Sequence, residues 1–273
     1  MKFLSNAKIE KVETVHRGEE GGREGKTNGT TEKDKTKALP LMTVSINTVV
    51  NHTTSEDLVQ LDCECLLVAT GRTANVENCG LDAGNVTYEL GKGVQVNDYG
   101  QSISNPAVYA VGDCVANVPR LTHMAGEMAK LVVQNSLADD DWKLSSLIVP
   151  AVMYTSPEYA TVGLASQAAA AHAGIPDCDV YETRLEHNDR GITDGTNIGF
   201  CKILVQKDTD TIIGATIVSD RAGEMINEIS LAMKNKLGLS AIGRNIHAYP
   251  SLGEAVMGCG VQYINKHLPR FDW

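Results

Sequence analysis

The segment from His247 to Glu254 brings two titratable rings and a carboxylate together around Pro250. A Tyr-Pro bond in a tight turn can be cis, which would fix the direction of the Tyr249 side chain. Glu254 could then orient a neighbouring acid/base group by hydrogen bonding. Ser251 and Glu254 also have the spacing of a capping box, so both residues could simply begin a helix. The residue pattern by itself favours capping over catalysis.

A second candidate site is the Gly112–Asp113 pair, which ends the apolar segment VYAVGD and precedes a helical pattern. A carboxylate at the carboxyl end of a buried strand lies where α/β sheets bind ligands, and it can accept hydrogen bonds from sugar-like hydroxyls. Free N–H groups at the start of the next helix can face a carbonyl or a phosphate. On spacing alone, a loop or helix-capping aspartate is the favoured interpretation of Asp113.

The seven cysteines form no C-x-x-C pair. Cys63 and Cys65 share one face of a predicted strand, but no further ligand has the usual spacing, so we predict buried thiols and no metal site. Gly91-x-Gly93 is followed by Val96 where a dinucleotide fingerprint needs its third glycine, and no Gly-Lys-Ser/Thr loop is complete. We therefore predict that the chain has no phosphate-binding loop of its own.

The first part of the chain reads as strands around a polar loop. Residues 41–50 and 59–71 are rich in β-branched side chains and should pair as antiparallel strands. Residues 18–37 offer almost nothing to bury and should form a disordered loop. The apolar runs LLVAT (66–70) and VYAVGD (108–113) predict strands that are buried on both faces.

The rest of the chain predicts a helix over 121–137, an acidic boundary near 139–143, and then an α+β domain. A further helix should be capped by Ser166 and stopped by Gly174, and two helices should close the chain, one over Met225 to Leu237 and one after Pro250. Strands are predicted near 148–154, 158–164, 179–187, 199–206 and 212–219.

Composition narrows the class of protein. With 273 residues, 42% hydrophobic and 21% charged, the chain is long enough for two modest domains. A net charge of -10 repels phosphate backbones and anionic membrane surfaces, so we expect no nucleic-acid partner and no membrane association. The opening MKFLSNAKIEKVE has no secretory pattern, and the cysteines form no disulfide framework, which indicates an intracellular, cytoplasmic or organellar location.

Six segments occur in an order that resembles a known family: LLVATGR, VYAVGDC, RLTHMA, VMYTSPEYATVGL, AGEMINEISLAM and HAYPSLGEA. The chain resembles the class I pyridine nucleotide-disulfide oxidoreductases, FAD flavoproteins that include dihydrolipoamide dehydrogenase and mercuric reductase. The resemblance covers nearly everything from Leu66 onward and corresponds to the carboxy-terminal part of such an enzyme.

The resemblance implies a partial Rossmann-type α/β region for FAD and NAD(P), followed by an α+β dimerisation domain with an antiparallel sheet. Residues 1–72 would be a remnant of the NAD(P)-binding domain, with antiparallel strands and the disordered loop. Residues 73–145 would be the carboxy-terminal part of the FAD-binding domain. Residues 146–273 would form the dimerisation domain, through which two copies of the chain would form a homodimer.

The same resemblance assigns candidate site residues. Gly71 would approach NAD(P)H, and Gly112 and Asp113 would lie at the ribityl chain of FAD. His247, Tyr249 and Glu254 would form the acid/base segment that reaches the partner subunit's flavin. The residues expected along the flavin itself are Arg120, Leu121, Thr122 and His123.

Tyr249 departs from the common family pattern, in which a histidine precedes the proline. Mercuric-reductase-like members also have tyrosine there, and His247 lies two residues too early. A phenol with an ordinary pKa of about 10 is a poor base at neutral pH but a usable hydrogen-bond donor. Paired cysteines near the carboxyl end are absent, since the chain finishes LPRFDW, so we do not expect mercury reduction.

The family's glycine-rich FAD motif, C-x-x-x-x-C disulfide and second glycine-rich motif do not occur in these 273 residues. Thiol exchange needs a thiolate and a resolving partner. The resemblance implies an FAD-dependent oxidoreductase that uses NAD(P)H with a disulfide, metal or small acceptor. Because the redox cysteine pair is missing, we predict that it is present as an incomplete chain that is inactive alone. The alternative is a non-enzymatic dimerisation or interaction module derived from such an enzyme.

Overall fold

The computed structural model describes residues 7–15, 41–50, 53–138 and 140–267. The chain divides into two units, Met1–Gly71 and Arg72–Trp273, which are described separately below. The predicted disordered loop at 18–37 lies outside the described residues.

The first unit contains a three-stranded antiparallel sheet in the order β1 (Ala7–Val15), β2 (Leu41–Val50) and β3 (Thr53–Cys63). The second and third strands pair from Met42↔Cys63 to Val50↔Thr53, which agrees with the predicted antiparallel pairing. The third strand ends at Cys63, however, and the LLVAT run forms no strand.

The prediction of a buried strand at LLVAT is wrong for this structure, because Leu67 is 85% exposed and Val68 is 69% exposed. An apolar strand of this kind needs hydrogen-bonded neighbours and covered faces. Among the described residues, none pairs with residues 64–71. In the described part of the chain, the apolar side chains of residues 66–70 are therefore present without a neighbouring sheet that would bury them.

The second unit begins with short elements: β4 (Tyr88–Glu89), β5 (Gly93–Val94) and a 3₁₀ turn at Gly112–Cys114. The predicted buried strand at VYAVGD is also wrong, since Tyr109 forms only an isolated bridge to Gln101 and the segment is half-buried. The predicted helix is confirmed as α1 (Thr122–Leu137). Its buried stripe contains Met124, Met128 and Leu131.

Asp98 forms hydrogen bonds with Ser145, in the segment that follows α1. Its carboxylate accepts hydrogen bonds from the Ser145 backbone N–H at 2.8 Å and from the Ser145 hydroxyl at 2.6 Å. The hydroxyl bond, followed by the N–H bond, lowers the pKa of Asp98 from its ordinary 3.8. A carboxyl group whose pKa is lower in the folded than in the unfolded state stabilises the folded state at pH values above its unfolded-state pKa. This stabilisation is lost as the pH falls through the folded-state pKa.

We therefore expect Asp98→Asn to be less stable than the parent protein at neutral pH, with the difference shrinking as the pH is lowered below 3.8. Urea denaturation of both proteins across this pH range measures the difference. A gap that stays constant down to the acid end would show that the charge of Asp98 does not contribute.

The rest of the second unit is built on a five-stranded antiparallel sheet in the order β6-β7-β10-β9-β8. These strands are β6 (Ala151–Met153), β7 (Glu158–Gly163), β8 (Cys178–Arg184), β9 (Phe200–Gln206) and β10 (Ile212–Ser219). The helices are α2 (Gln167–His172), α3 (Asp189–Asp194), α4 (Ala222–Lys234), α5 (Leu239–Arg244) and α6 (Glu254–His267). All five strands predicted from the sequence are present.

The core of this region lies between the sheet and its helices. Helix α4 packs on β7 and β10, while α6 packs on β8 and β9. Fully buried side chains include Ile203, Ile217, Ile226, Ile229 and Val256. Each such side chain stabilises the fold by about 1.5–3 kcal/mol relative to an exposed one. The core therefore holds the start of α6 and the loop before it against a rigid sheet.

Both predicted ends of α2 are confirmed, and two short helices were missed. Ser166 caps α2, accepting from the Ala169 N–H at 3.1 Å, and Gly174 follows it at φ 81°. Helices α3 and α5 have six residues each, which is too short for an apolar periodicity to develop, and neither was recognised from its flanking residues as α2 was.

Candidate functional site

Asp113 lies in the 3₁₀ turn that precedes α1. Gly112 has φ 75°, and a Cβ at this position would lie 3.0 Å from the Ala125 Cβ, so glycine lets the turn approach the helix. The Asp113 side chain is 45% exposed, and its Oδ2 accepts from Arg72 Nη1 at 2.9 Å. One carboxylate oxygen is thus paired with a cation, and the group is open to solvent.

Arg120 holds this turn in place through the protein backbone. Its guanidinium donates to the carbonyl oxygens of Arg72 at 2.8 Å and Asp113 at 3.3 Å. It also donates to the carbonyl oxygens of Gly91 at 3.2 Å and Lys92 at 3.1 Å. The Arg120 side chain is therefore a scaffold for the residues around Asp113, and its flavin contact remains a prediction.

The start of α1 offers backbone donors beside this turn. Leu121 is the N-cap residue, and within the described part of the chain no side chain caps the helix. The N–H groups of the first turn, which includes Thr122 and His123, can therefore meet an external carbonyl or phosphate oxygen. The His123 ring donates from Nε2 to the Pro150 carbonyl oxygen at 2.7 Å, which ties α1 to the connection before β6.

The groups around Asp113 fit a ligand with both hydroxyl and carbonyl groups, since a carboxylate accepts hydrogen bonds from hydroxyls and the N–H groups at a helix start donate to oxygen.

Gly71, the residue expected to approach NAD(P)H, belongs to the first unit. It has φ 118°, and no atom lies within 4 Å of a Cβ built there. Its role remains a prediction.

His247 is directed into the protein. Its side chain is 8% exposed, and Nε2 lies 2.9 Å from Oε1 and 3.1 Å from Oε2 of Glu228 in α4. Nδ1 lies 3.1 Å from the Asn245 carbonyl oxygen. His247 thus anchors the loop before α6 to α4, a structural function that the sequence pattern did not indicate.

Tyr249 is the exposed member of this segment, at 72%. Its hydroxyl donates to Asp189 Oδ2 at 2.7 Å. This hydrogen bond, together with the negative charge of Asp189 and, more weakly, burial and Glu254, raises the pKa of the Tyr249 phenol above 10.0. The Tyr249–Pro250 bond is cis.

Glu254 begins α6, and its Oε2 accepts from the Ser251 backbone N–H at 3.0 Å. This contact is one half of the capping box that the sequence allowed. Glu254 and Asp189 both line a cavity of about 480 Å³. The structure therefore brings Tyr249 and Glu254 to the neighbourhood of Asp189, while His247 points elsewhere.

Asp189 and Glu228 are the two charged residues of this region that sequence reasoning missed. Asp189 is separated from Tyr249 by 60 positions and Glu228 from His247 by 19, so only the fold unites each pair. The one available signal was Asn188, whose side chain caps α3 immediately before Asp189.

The described residues lack two features, a metal-binding group of side chains and a helix able to span a membrane. They contain no group of three or more His, Cys, Asp or Glu side chains arranged to hold a metal ion. They also contain no helix with the length and apolar character needed to cross a membrane.

Comparison with known families gives two matches along the chain. Residues 149–258 match the pyridine nucleotide-disulphide oxidoreductase dimerisation domain, and residues 24–129 match the pyridine nucleotide-disulphide oxidoreductase domain. The predicted fold class, a Rossmann-type region followed by an α+β dimerisation domain, is thereby confirmed.

The curated relatives of this chain include dihydrolipoyl dehydrogenases. The mitochondrial enzyme of Sus scrofa is 36% identical over 195 residues, which is 71% of this chain and 37% of the relative. The Thermus scotoductus enzyme is 34% identical over 192 residues, covering 70% of this chain and 40% of the relative. The chain therefore spans about 40% of the length of the relatives it matches.

Solved structures support the same fold. LpdA from Mycobacterium tuberculosis superposes with a TM-score of 0.70 at 22% identity, covering 81% of this chain and 46% of that one. The HOCl-induced flavoprotein disulfide reductase RclA from Escherichia coli gives a TM-score of 0.67 at 20% identity, covering 78% and 46%. With both domain matches in the family's order, this chain belongs to the pyridine nucleotide-disulphide oxidoreductases.

Proposed function

We propose that this chain is the carboxy-terminal part of an FAD-dependent oxidoreductase that takes electrons from NAD(P)H. The observation that carries the proposal is the open Asp113 carboxylate beside the uncapped start of α1. A disulfide, a metal or another small molecule would be the acceptor, and a disulfide has the support of the dihydrolipoyl dehydrogenase relatives. The compartment stays a prediction, although several relatives are named as mitochondrial.

FAD, when bound, supplies two-electron chemistry between the nicotinamide and the acceptor. Asp113 would accept hydrogen bonds from the sugar-alcohol chain of this cofactor. Backbone N–H groups at Thr122 and His123 would donate to a carbonyl of its ring system. Arg120 would keep the Asp113 turn in position through the carbonyls that it already holds.

The dimerisation domain supports a homodimer through 146–273. Large apolar side chains are exposed on this region, among them Met153 at 57%, Tyr154 at 80% and Leu231 at 61%. Sedimentation equilibrium should give a mass near twice 29.3 kDa. A monomer at micromolar concentration would contradict this part of the proposal.

FAD binding is the direct test. We expect the chain to quench the fluorescence of added FAD, and Asp113→Ala to weaken binding by about tenfold to a hundredfold, because a hydrogen bond to a charged group contributes roughly 1.5–3 kcal/mol. Asp141→Ala is the matched control, since Asp141 is 76% exposed and lies in the connection after α1. Arg72→Ala should bind FAD at least as tightly as the parent, because it releases the Asp113 carboxylate.

Equal FAD affinity in the parent protein and Asp113→Ala would contradict the assigned role of Asp113.

The alternative function is a non-enzymatic dimerisation module. It is supported by the absence of a C-x-x-x-x-C pair and of the glycine-rich motifs from these 273 residues. It predicts a stable dimer that quenches no flavin fluorescence at any concentration tested.

A further inference from the structure

The Tyr249 hydroxyl is held by a residue outside its own segment. It donates to Asp189 Oδ2 at 2.7 Å, a short hydrogen bond of the charge-assisted kind. Asp189 is the first residue of α3, a six-residue helix between β8 and β9. The acceptor of the phenol's hydrogen bond therefore belongs to a different element from the one that carries Tyr249.

Helix α3 is fastened to the same loop by a second contact. The side chain of Asn188, which is 7% exposed, donates from Nδ2 to the Ser251 carbonyl oxygen at 3.0 Å. The same side chain accepts from the Gly191 N–H at 2.9 Å and so caps α3. Adjacent residues Asn188 and Asp189 thus bind the loop on both sides of Pro250, which fixes the carboxylate of Asp189 relative to the phenol.

Glu254, unlike Asp189, forms its hydrogen bond with the protein backbone and not with the Tyr249 hydroxyl. Its carboxylate accepts from the Ser251 N–H at 3.0 Å, and it affects the Tyr249 pKa less than Asp189 does. The charged groups that face the phenol are thus Asp189 from α3 and Glu254 from α6. Three further titratable or charged side chains line the cavity that these two carboxylates share: Glu182, Arg184 and His187.

We propose that Asp189 is the positioning residue for Tyr249, in the orienting role that the family resemblance gives to Glu254. The catalytic meaning of this pair rests on the function proposed above. With its proton directed at Asp189, the phenol presents its oxygen lone pairs as acceptors for a donor such as a thiol or hydroxyl. The chain thus carries a Tyr–Asp pair where the common family pattern has a histidine with its glutamate.

The test is the ionisation of the phenol in the full chain, followed by ultraviolet absorbance near 295 nm as the pH is raised. Subtracting the titration of Tyr249→Phe isolates the signal of Tyr249 from those of the other tyrosines. Asp189→Asn should move the Tyr249 midpoint to lower pH, because it removes the negative charge and the strong acceptor. Asp189→Glu should restore much of the original midpoint.

Asp194→Asn is the matched control, since Asp194 lies on the same helix and pairs with Arg190 at 2.6 Å. It should leave the midpoint unchanged, and Glu254→Gln should shift it less than Asp189→Asn does. An unchanged midpoint in Asp189→Asn, or an equal shift in Asp194→Asn, would overturn the proposal. Circular dichroism verifies that each variant is folded, and Asp189→Ser provides a second substitution if the amide variant is not.

This experiment needs neither FAD nor turnover, so it separates the two proposals. A chain that binds no FAD but shows the expected titration keeps the Tyr–Asp pair and loses the flavin function. A chain that binds FAD without the midpoint shift keeps the flavin function and rejects Asp189.

Discussion

Replacing Gly260 with alanine is expected to lower the free energy of unfolding of the second unit by about 1–3 kcal/mol, the usual range for overpacking a core. Helices α5 and α6 approach so closely that a Cβ on Gly260 would lie 2.4 Å from the Gly243 nitrogen and 2.8 Å from the Leu239 carbonyl oxygen. These atoms belong to the backbone and cannot rotate away. The two helices would have to separate.

Gly126→Ala is the matched control for this substitution. Gly126 also lies inside a helix, α1, but no atom lies within 4 Å of a Cβ built there. Alanine is favoured over glycine in a helix by up to about 1 kcal/mol, so this variant should be as stable as the parent or more stable. Urea denaturation of the three proteins decides the matter, and equal effects of the two substitutions would show that the α5–α6 contact is not as tight as described.

A protein made of these 273 residues is expected to reduce no lipoyl-type disulfide with NADH or NADPH, even with FAD added. Disulfide exchange needs a thiolate and a second thiol that resolves the mixed disulfide. The seven cysteines include no C-x-x-x-x-C pair, and Cys201 and Cys259 are fully buried. The rate of NAD(P)H oxidation with lipoamide should therefore match that of a blank without protein.

A complete dihydrolipoyl dehydrogenase, assayed alongside, verifies the reagents. Turnover above the blank that survives repurification would contradict the expectation and would direct attention to Cys63 and Cys65, the cysteines that lie two apart. Oxidation of NAD(P)H by oxygen without lipoamide would be a separate flavin reaction, and it is measured in the same assay by leaving lipoamide out.

The sequence predicted the dimerisation domain well because its elements carry their own periodicity. The strand over 212–219 and the helix with Ile226 and Ile229 bury one face against each other, so pattern and structure agree. The LLVAT run failed for the opposite reason. Its apolar character implies neighbours in a sheet, and the described residues supply none.

The candidate site was predictable only in part. Asp113 and the segment from His247 to Glu254 could be found because their residue types are close together in sequence. The partners that orient them were not predictable in the same way, since Asp189 reaches Tyr249 and Arg72 reaches Asp113 only through the fold. Sequence patterns therefore located the chemical groups, and the structure assigned their hydrogen bonds.

Arg120 has a consequence for ligand affinity that does not depend on touching a ligand. Its guanidinium joins stretches of chain that are up to 48 positions apart, at Arg72, Gly91 and Asp113. Segments tied together before a ligand arrives lose less conformational entropy when it binds. A lysine in this place would keep the positive charge but could not span the same carbonyls with a planar fork. If the chain binds FAD as proposed above, Arg120 would therefore contribute to the affinity through its hydrogen bonds to the protein's own carbonyl groups.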